Sequence, residues 1–461
     1  MAQSRRQFLR HAACGTLSAS ALLGGLGRFA LIDALAKPPS GSAYRALVCI
    51  FLYGGNDSNN TVIPLDDYAL YSAVRGASGI VIPKANLLSI LPPSAGRQFG
   101  LHPALTELHS LWLSKDLAIV CNAGTLTNPL THASCVAGAG RPYQLFSHSD
   151  QQNQWQTAYS NNPIGTGWGG RVVDQTSALS SDGRFPVIAS VAGVTVFSTG
   201  ANTRPIVLSP APTPLNKTLA LLKSDQSWLD ILTGDGVDVM PTLVQNAAHI
   251  TSAAVDNSLL LNSNPNLTTV FPTTSLGNQL KQVAKLIQLA TTNSSLGLDR
   301  QIFFCSLGGF DTHYNQGNIT GIQASLLKQV SQAVAAFFNA TVELHVASQV
   351  TTFTASDFSR TFKPAGVGDA TGTDHAWGSH QFVVGGGVAG GNFYGAFPDL
   401  ILGGNEDADA GTSARGRWIP GISVDQYAAT LALWYGLPTS ELTTVFPNVG
   451  NFNKSNLGFM A

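Results

Sequence analysis

Three aspartates each stand just after an apolar run. Asp57 follows Gly54-Gly55-Asn56, Asp311 follows Gly308-Gly309-Phe310, and Asp357 follows Ala355-Ser356. One aspartate after a strand is ordinary turn chemistry. Three, from distant parts of the chain, read as a site once a sheet brings its strand ends together. Imidazoles sit close by: His313 two residues after Asp311, and His375 in the dense polar stretch Gly372-Thr373-Asp374-His375-Ala376-Trp377-Gly378-Ser379-His380. Neutral imidazole and carboxylate are the ligands of hard or borderline divalent ions. Arg360, three residues after Asp357, has the planar fork that holds a tetrahedral oxyanion. In Phe146-Ser147-His148-Ser149-Asp150 a helix begins, and hydroxyls there meet the positive end of its dipole. Ser147 or Ser149 is then a candidate nucleophile; the simpler reading is a helix cap.

The elements that must position these residues are strands alternating with helices. Ala46 to Tyr53 is a continuous apolar run, as expected of a parallel strand buried on both faces. The pattern returns at Leu117 to Cys121, Ile302 to Leu307, Val350 to Thr354 and Phe382 to Val384, which stops at Gly385. Leu276, Leu280, Val283, Leu286, Ile287 and Ala290 share a helical face, with Ser275 as the expected N-cap. Ile322, Leu326, Val330 and Val334 define a second helix, and Val424 to Tyr435 a third. This order predicts a mostly parallel α/β sheet with helices on both faces and a ligand site at the carboxyl ends of its strands. Residues 195–270, rich in Ser, Thr, Asn and Pro, are expected to form a cap-like insertion, helical over Leu215 to Leu232 and Val239 to Ser252.

The chain opens with Ser4-Arg5-Arg6-Gln7-Phe8-Leu9, then a Gly/Ala-rich apolar segment ending in Ala34-Leu35-Ala36. That is the layout of a twin-arginine signal with its cleavage site, expected over residues 1–36, before a mature chain of residues 37–461. It predicts export in the folded state by the twin-arginine translocase, to the periplasm or outside. The formal charge of the whole chain is −1. Removing Arg5, Arg6, Arg10, Arg28 and Asp33 with the leader leaves −4, which gives no reason to expect nucleic acid. No second apolar run has the roughly 20 residues of a membrane span. Cys49, Cys121, Cys135 and Cys305 lack metal-knuckle spacing and read as buried thiols. Asp425 reads as an early-helix acid facing the dipole.

One set of motifs, in order, resembles a known family. It comprises Gly54 to Asp57, Asn60 to Pro64, Phe99 to Pro103, Ser147-His148 with Trp155, and Gly167-Trp168 with Arg171. Gly309 to His313, Asp357 to Thr361, Gly372 to His375 with Trp377, Gly395 to Pro398 and Val424 to Thr430 complete it. Together, from about Ala46 to Phe459, they resemble the exported bacterial family called domain of unknown function 1501. That family is similar to the alkaline phosphatase and sulfatase superfamily. The resemblance implies an alkaline-phosphatase-like three-layer sandwich, formed as a single domain. It also implies a divalent metal held by Asp57, Asp311, His313, Asp357 and His375, with Ser147 as nucleophile. Phe358 stands where the superfamily has a metal-binding histidine, and Asp311 and His313 are closer together than usual there.

Two readings follow. In the first, the protein is an exported metal-assisted hydrolase or transferase acting on a phosphate or sulfate ester, small or glycan-linked. Ser147 attacks, and Arg360 and His148 stabilise developing charge. In the second, it is a non-catalytic binding or scaffold protein with a degenerate metal site.

Overall fold

A computed structural model describes residues 44–180, 187–215, 265–293 and 296–461. In chain order the strands are β1 (Arg45–Leu52), β2 (Val62–Pro64), β3 (Leu88–Ile90), β4 (Phe99–Leu101), β5 (Leu117–Gly124), β6 (Ile188–Ser190), β7 (Ile206–Val207), β8 (Arg300–Leu307), β9 (Val350–Ser356), β10 (Ser379–Val384), β11 (Phe393–Tyr394) and β12 (Ile422–Ser423). The helices used below are α1 (Tyr68–Arg75), α2 (Thr106–Leu113), α3 (His148–Thr157), α4 (Trp168–Thr176), α5 (Ser275–Thr292), α6 (Ile322–Glu343) and α7 (Val424–Tyr435).

The main sheet runs β11-β5-β10-β9-β1-β8-β6-β7, with β12 also on β5. β1 is central and parallel to both neighbours: Ala46 pairs with Gln301 on β8 and with Val350 on β9. Side chains alternate across a strand, and β1 uses both faces. Ala46, Val48, Ile50 and Leu52 pack with residues of α2, α5 and α6, while Leu47, Cys49 and Phe51 pack with residues of α3, α4 and α7. Each fully buried Val, Leu, Ile or Phe contributes about 1.5–3 kcal/mol. That is why the run is apolar throughout instead of alternating. The result is the expected three-layer α/β sandwich.

Several local expectations change. β10 is antiparallel to β5 and β9. Gly385 therefore lies at the edge opposite the other strand ends, and the residues before Ser379 arrive at the ligand edge instead. Thr274, not Ser275, caps α5, its hydroxyl accepting from the Gly277 N–H at 3.2 Å. The front of the expected insertion belongs to the body: Phe197 is buried in the core, and β7 pairs with β6. The helical stretches expected further on, apart from Leu215, and the leader over residues 1–36 lie outside the described residues. All four cysteines of the described chain are buried and free. Among the described residues no helix is long and apolar enough to cross a membrane.

Candidate metal centre

The loops leaving β1, β8 and β9 meet at the carboxyl edge because glycines let them touch. Gly54 has φ +111°, and a Cβ there would stand 2.3 Å from the Asp311 backbone nitrogen. A Cβ on Gly372 would stand 2.1 Å from the Thr312 carbonyl oxygen. The segment after β9 then pairs with the approach to β10. Ser359 N–H donates to Trp377 O (3.0 Å), and Thr361 N–H donates to Asp374 O (2.9 Å). This short ladder sets Arg360 opposite His375.

Three imidazoles converge on one carboxylate oxygen. Asp311 Oδ1 lies 3.4 Å from His148 Nε2, 3.0 Å from His313 Nε2 and 3.4 Å from His375 Nε2. The ligand atoms of His148, Asp311 and His375 all lie within 4.8 Å of one another. The far nitrogen of each ring is held by an acceptor. His148 Nδ1 is 2.6 Å from Asp357 Oδ2, His313 Nδ1 is 3.2 Å from Asp374 Oδ1, and His375 Nδ1 is 2.8 Å from the Phe146 carbonyl. Carboxylate and peptide oxygens only accept, so these partners assign the ring proton to Nδ1. Every Nε2 then presents a lone pair. His313 Nε2 and His375 Nε2 face each other at 2.8 Å, and His148 Nε2 is buried without a hydrogen-bond partner. Lone pairs crowded on a carboxylate repel unless a proton or a cation sits among them. Oriented Nδ1 atoms with converging Nε2 atoms are the usual support of a metal site, so the donor set fits a divalent ion.

Phe358, which cannot ligate, is fully buried beside this group. Its ring centroid is 4.8 Å from that of His148 and 4.7 Å from that of His375. It packs the imidazoles from below.

The other predicted site residues are placed differently. Asp57 is sealed: its carboxylate takes Arg75 Nη1 at 2.7 Å, Arg75 Nη2 at 3.2 Å and Gln316 Nε2 at 2.6 Å, with both partners of the ion pair 0% exposed. Its oxygens serve a buried ion pair and stand apart from the histidine–aspartate group. Asp357 supports from behind. Its Oδ2 accepts from His148, from Gln152 Nε2 at 2.8 Å and from the Gly54 N–H at 3.2 Å. Arg360, expected as an oxyanion clamp, is fully buried and spent. Nη1 donates to Asp311 Oδ1 at 2.7 Å and to Gly54 O, and its other nitrogens donate to Thr373. Ser147 is the N-cap residue of α3 but makes no side-chain cap bond. Its hydroxyl donates to Asp150 Oδ2 at 2.5 Å, with Ser149 Oγ at 3.2 Å. His148, expected to stabilise charge, is in the histidine–aspartate group itself.

Sequence reasoning missed two supports. Asp374 bridges His313 and the Arg415 guanidinium; its place beside His375 was the available signal. Arg75, on the last turn of α1, gave none, because a helix-end arginine reads as a surface cation.

Electrostatics follow the partners. The hydrogen bond to Asp357, against the opposing effect of burial, pushes His148 above its ordinary value. Burial pushes His375 down. Partial burial disfavours charge on Asp311, but Arg360 and the neighbouring imidazoles outweigh it and hold the carboxyl below its usual range. Asp374 is lowered likewise, burial being overcome by Arg415 and His313.

Fold and site define an α/β protein with a histidine–aspartate group at the carboxyl edge of a mostly parallel sheet. The chain belongs to the family described as "Protein of unknown function (DUF1501)", whose model matches residues 44–411. No curated protein sequence matches it. Among solved structures it is similar to Ps i-CgsB in complex with k-i-k-neocarrahexaose, at 9% identity and TM-score 0.35, over 89% of this chain and 77% of that one. It is similar to the PsFucS1 sulfatase from Pseudoalteromonas sp., at 9% identity and TM-score 0.31, over 92% and 73%. It is also similar to the lipoteichoic acid synthase LtaP from Listeria monocytogenes, at 6% identity and TM-score 0.31, over 90% and 78%.

Proposed function

We propose that the protein is a metal-dependent hydrolase or transferase of phosphate or sulfate esters. The observation that carries the reading is the convergence of His148, His313 and His375 on Asp311, each ring fixed from behind. The substrate class comes from the motifs that resemble the alkaline phosphatase and sulfatase superfamily. His148 Nε2, His375 Nε2 and Asp311 Oδ1 would hold the ion. A divalent cation there supplies Lewis acidity toward an ester oxygen and makes water more acidic.

The chain's own residues divide the remaining work. Arg360 keeps Asp311 ionised and in place. His313 is the most open of the three imidazoles, its side chain 44% exposed. Its Nδ1–H is anchored on Asp374, so Nε2 is free to take a proton from attacking water and return it to the leaving alcohol as the ester bond breaks. Ser147 is committed to Asp150, so water is the nucleophile in this reading. In the transferase variant an acceptor alcohol takes its place.

The test is cleavage of aryl phosphate and aryl sulfate esters by metal-loaded protein, beside His313→Gln. The reading expects cleavage of one ester class and a loss of about 10²–10⁴-fold in His313→Gln. If neither class is cleaved with any divalent ion, the reading fails and a non-catalytic binding role replaces it.

We also propose export by the twin-arginine route, on the strength of Arg5-Arg6 and Ala34-Leu35-Ala36. Lysine at both arginines should leave precursor in the cytoplasm, and unchanged export would end that proposal.

A further inference from the structure

We infer that the centre is a single nitrogen-rich site, closed by His148, that takes a borderline ion of the zinc, cobalt or nickel kind and rejects calcium and magnesium. The inference rests on the metal-dependent reading above and adds the class and number of the ion.

The donor count carries it. His148 and His375 offer two imidazole nitrogens and Asp311 one carboxylate oxygen, while His313 Nε2, 2.8 Å from that of His375, stands beside them as the base. Calcium takes six to eight oxygen ligands and magnesium an octahedron of oxygens. Here the group has one carboxylate oxygen, and Arg360 already donates to it at 2.7 Å. That guanidinium also offsets the one negative charge a hard cation would seek. Imidazole instead suits zinc, copper, iron and nickel, and three protein ligands with an open position is the pattern of catalytic zinc sites.

The acids that could enlarge the site are engaged elsewhere. Asp57 is closed by Arg75 and Gln316. Asp374 lies between His313 and Arg415. Asp357 gives Oδ2 to three donors, which leaves it one buried oxygen, too few for a second ion. Among the described residues, no other set of His, Cys, Asp and Glu groups in threes at ligand spacing.

His148 decides the nitrogen content. It is the first residue of α3, three turns of helix that begin at the site, and Asp357 and Gln152 lock its direction. An oxygen-rich site would survive its loss, and this one should not.

The experiment strips the full chain of metal and dialyses it against zinc, cobalt, nickel, calcium or magnesium, followed by elemental analysis. The expected result is one equivalent of zinc, cobalt or nickel, with millimolar calcium or magnesium neither binding nor displacing it. The cobalt form should show visible absorption. His148→Ala should weaken binding by at least about 100-fold, since even the loss of a supporting partner costs 10–100-fold. His148→Cys, checked for folding by circular dichroism, should retain cobalt and add a thiolate charge-transfer band. Tight calcium or magnesium, two equivalents of any ion, no ion at all, or binding unmoved by His148→Ala would overturn the inference. A bound ion without ester cleavage sinks only the hydrolase reading, and cleavage supported by calcium sinks only this one.

Discussion

Asp57 and Asp311 share a local signature. Each follows two glycines and one further residue at the end of a buried strand, and their strands, β1 and β8, are parallel neighbours. Their environments are opposite. Asp57 is fully buried and paired with Arg75, while the Asp311 side chain is 46% exposed and faced by three imidazoles. The two are joined underneath: Gln316 donates to Asp57, accepts from Thr312 and Thr373, and Thr373 accepts from Arg360, which holds Asp311. One aspartate tensions the floor, and the other is presented on it. A carboxylate at a strand end therefore becomes a candidate ligand or a strut according to which side chain reaches it from elsewhere in the fold.

The sharpest break in this comparison is Arg75→Ala. It leaves a fully buried carboxylate without its charge partner, which costs about 3–5 kcal/mol. Asp311→Ala should cost less, about 1–3 kcal/mol, because its half-open position lets water replace the carboxylate beside Arg360, which also keeps the carbonyls of Gly54 and Thr373, but it should abolish metal binding. Guanidinium denaturation of the metal-free proteins separates them, and equal losses would refute the division into strut and ligand.

Asp425, on the first turn of α7, supplies a third case: a buried carboxyl with no cation in contact. Burial pushes it up to about 7, against its hydrogen bond from the Asn448 N–H at 3.2 Å, and its Oδ2 has no partner. The folded state thus binds this proton more tightly than the unfolded chain, whose carboxyl titrates near 3.9. Its stabilising contribution is full below about pH 4 and is lost as pH rises through about 7, up to about 4 kcal/mol for a shift of this size. Asp425→Asn should match the parent at pH 4 and exceed its stability at pH 8. Parallel stability curves from urea melts across that range would contradict this.

The fold and the edge that carries the site were legible because they depend on local pattern. Apolar runs that stop at glycine announced β1, β5 and β8, the run that stops at Ala355-Ser356-Asp357 announced β9, and the helical faces of α5 and α6 were plain in their spacing. The direction of β10 was not, since six buried residues read alike either way along the sheet. Asp311, His313 and His375 could be named from clustering alone. The roles of Asp57 and Asp357 could not. They turn on Arg75, 18 residues from Asp57, and on His148, 209 residues from Asp357, and no spacing rule connects such pairs.

Asp357→Asn tests a buried carboxylate that is neither strut nor ligand. An amide can donate toward His148 Nδ1 and favour the tautomer with its proton on Nε2, where the metal must go. The loss expected is about 10–100-fold in metal affinity, with the nitrogen ligand still present. Isothermal titration of the stripped protein with zinc would measure it, and an unchanged affinity would show that Asp357 does not orient the ring.

The smallest effect expected is at Ser147, and it contrasts two adjacent residues. His148, the first residue of α3, reaches Asp357 and the histidine–aspartate group, whereas Ser147 before it is extended and keeps its hydroxyl on Asp150. A serine nucleophile must stand where the ester is held, and Ser147 bonds to Asp150 and Ser149, not to any member of the histidine–aspartate group. Nor does it cap the helix through its side chain, so its removal should cost under about 0.5 kcal/mol. Ser147→Ala should therefore keep its fold, its metal and ester cleavage within about twofold of the parent, whereas His148→Ala loses the last two. Steady-state rates on aryl esters for the two variants decide the matter. A fall of about 100-fold or more in Ser147→Ala, with metal still bound, would make the serine the attacking group and displace water from that role.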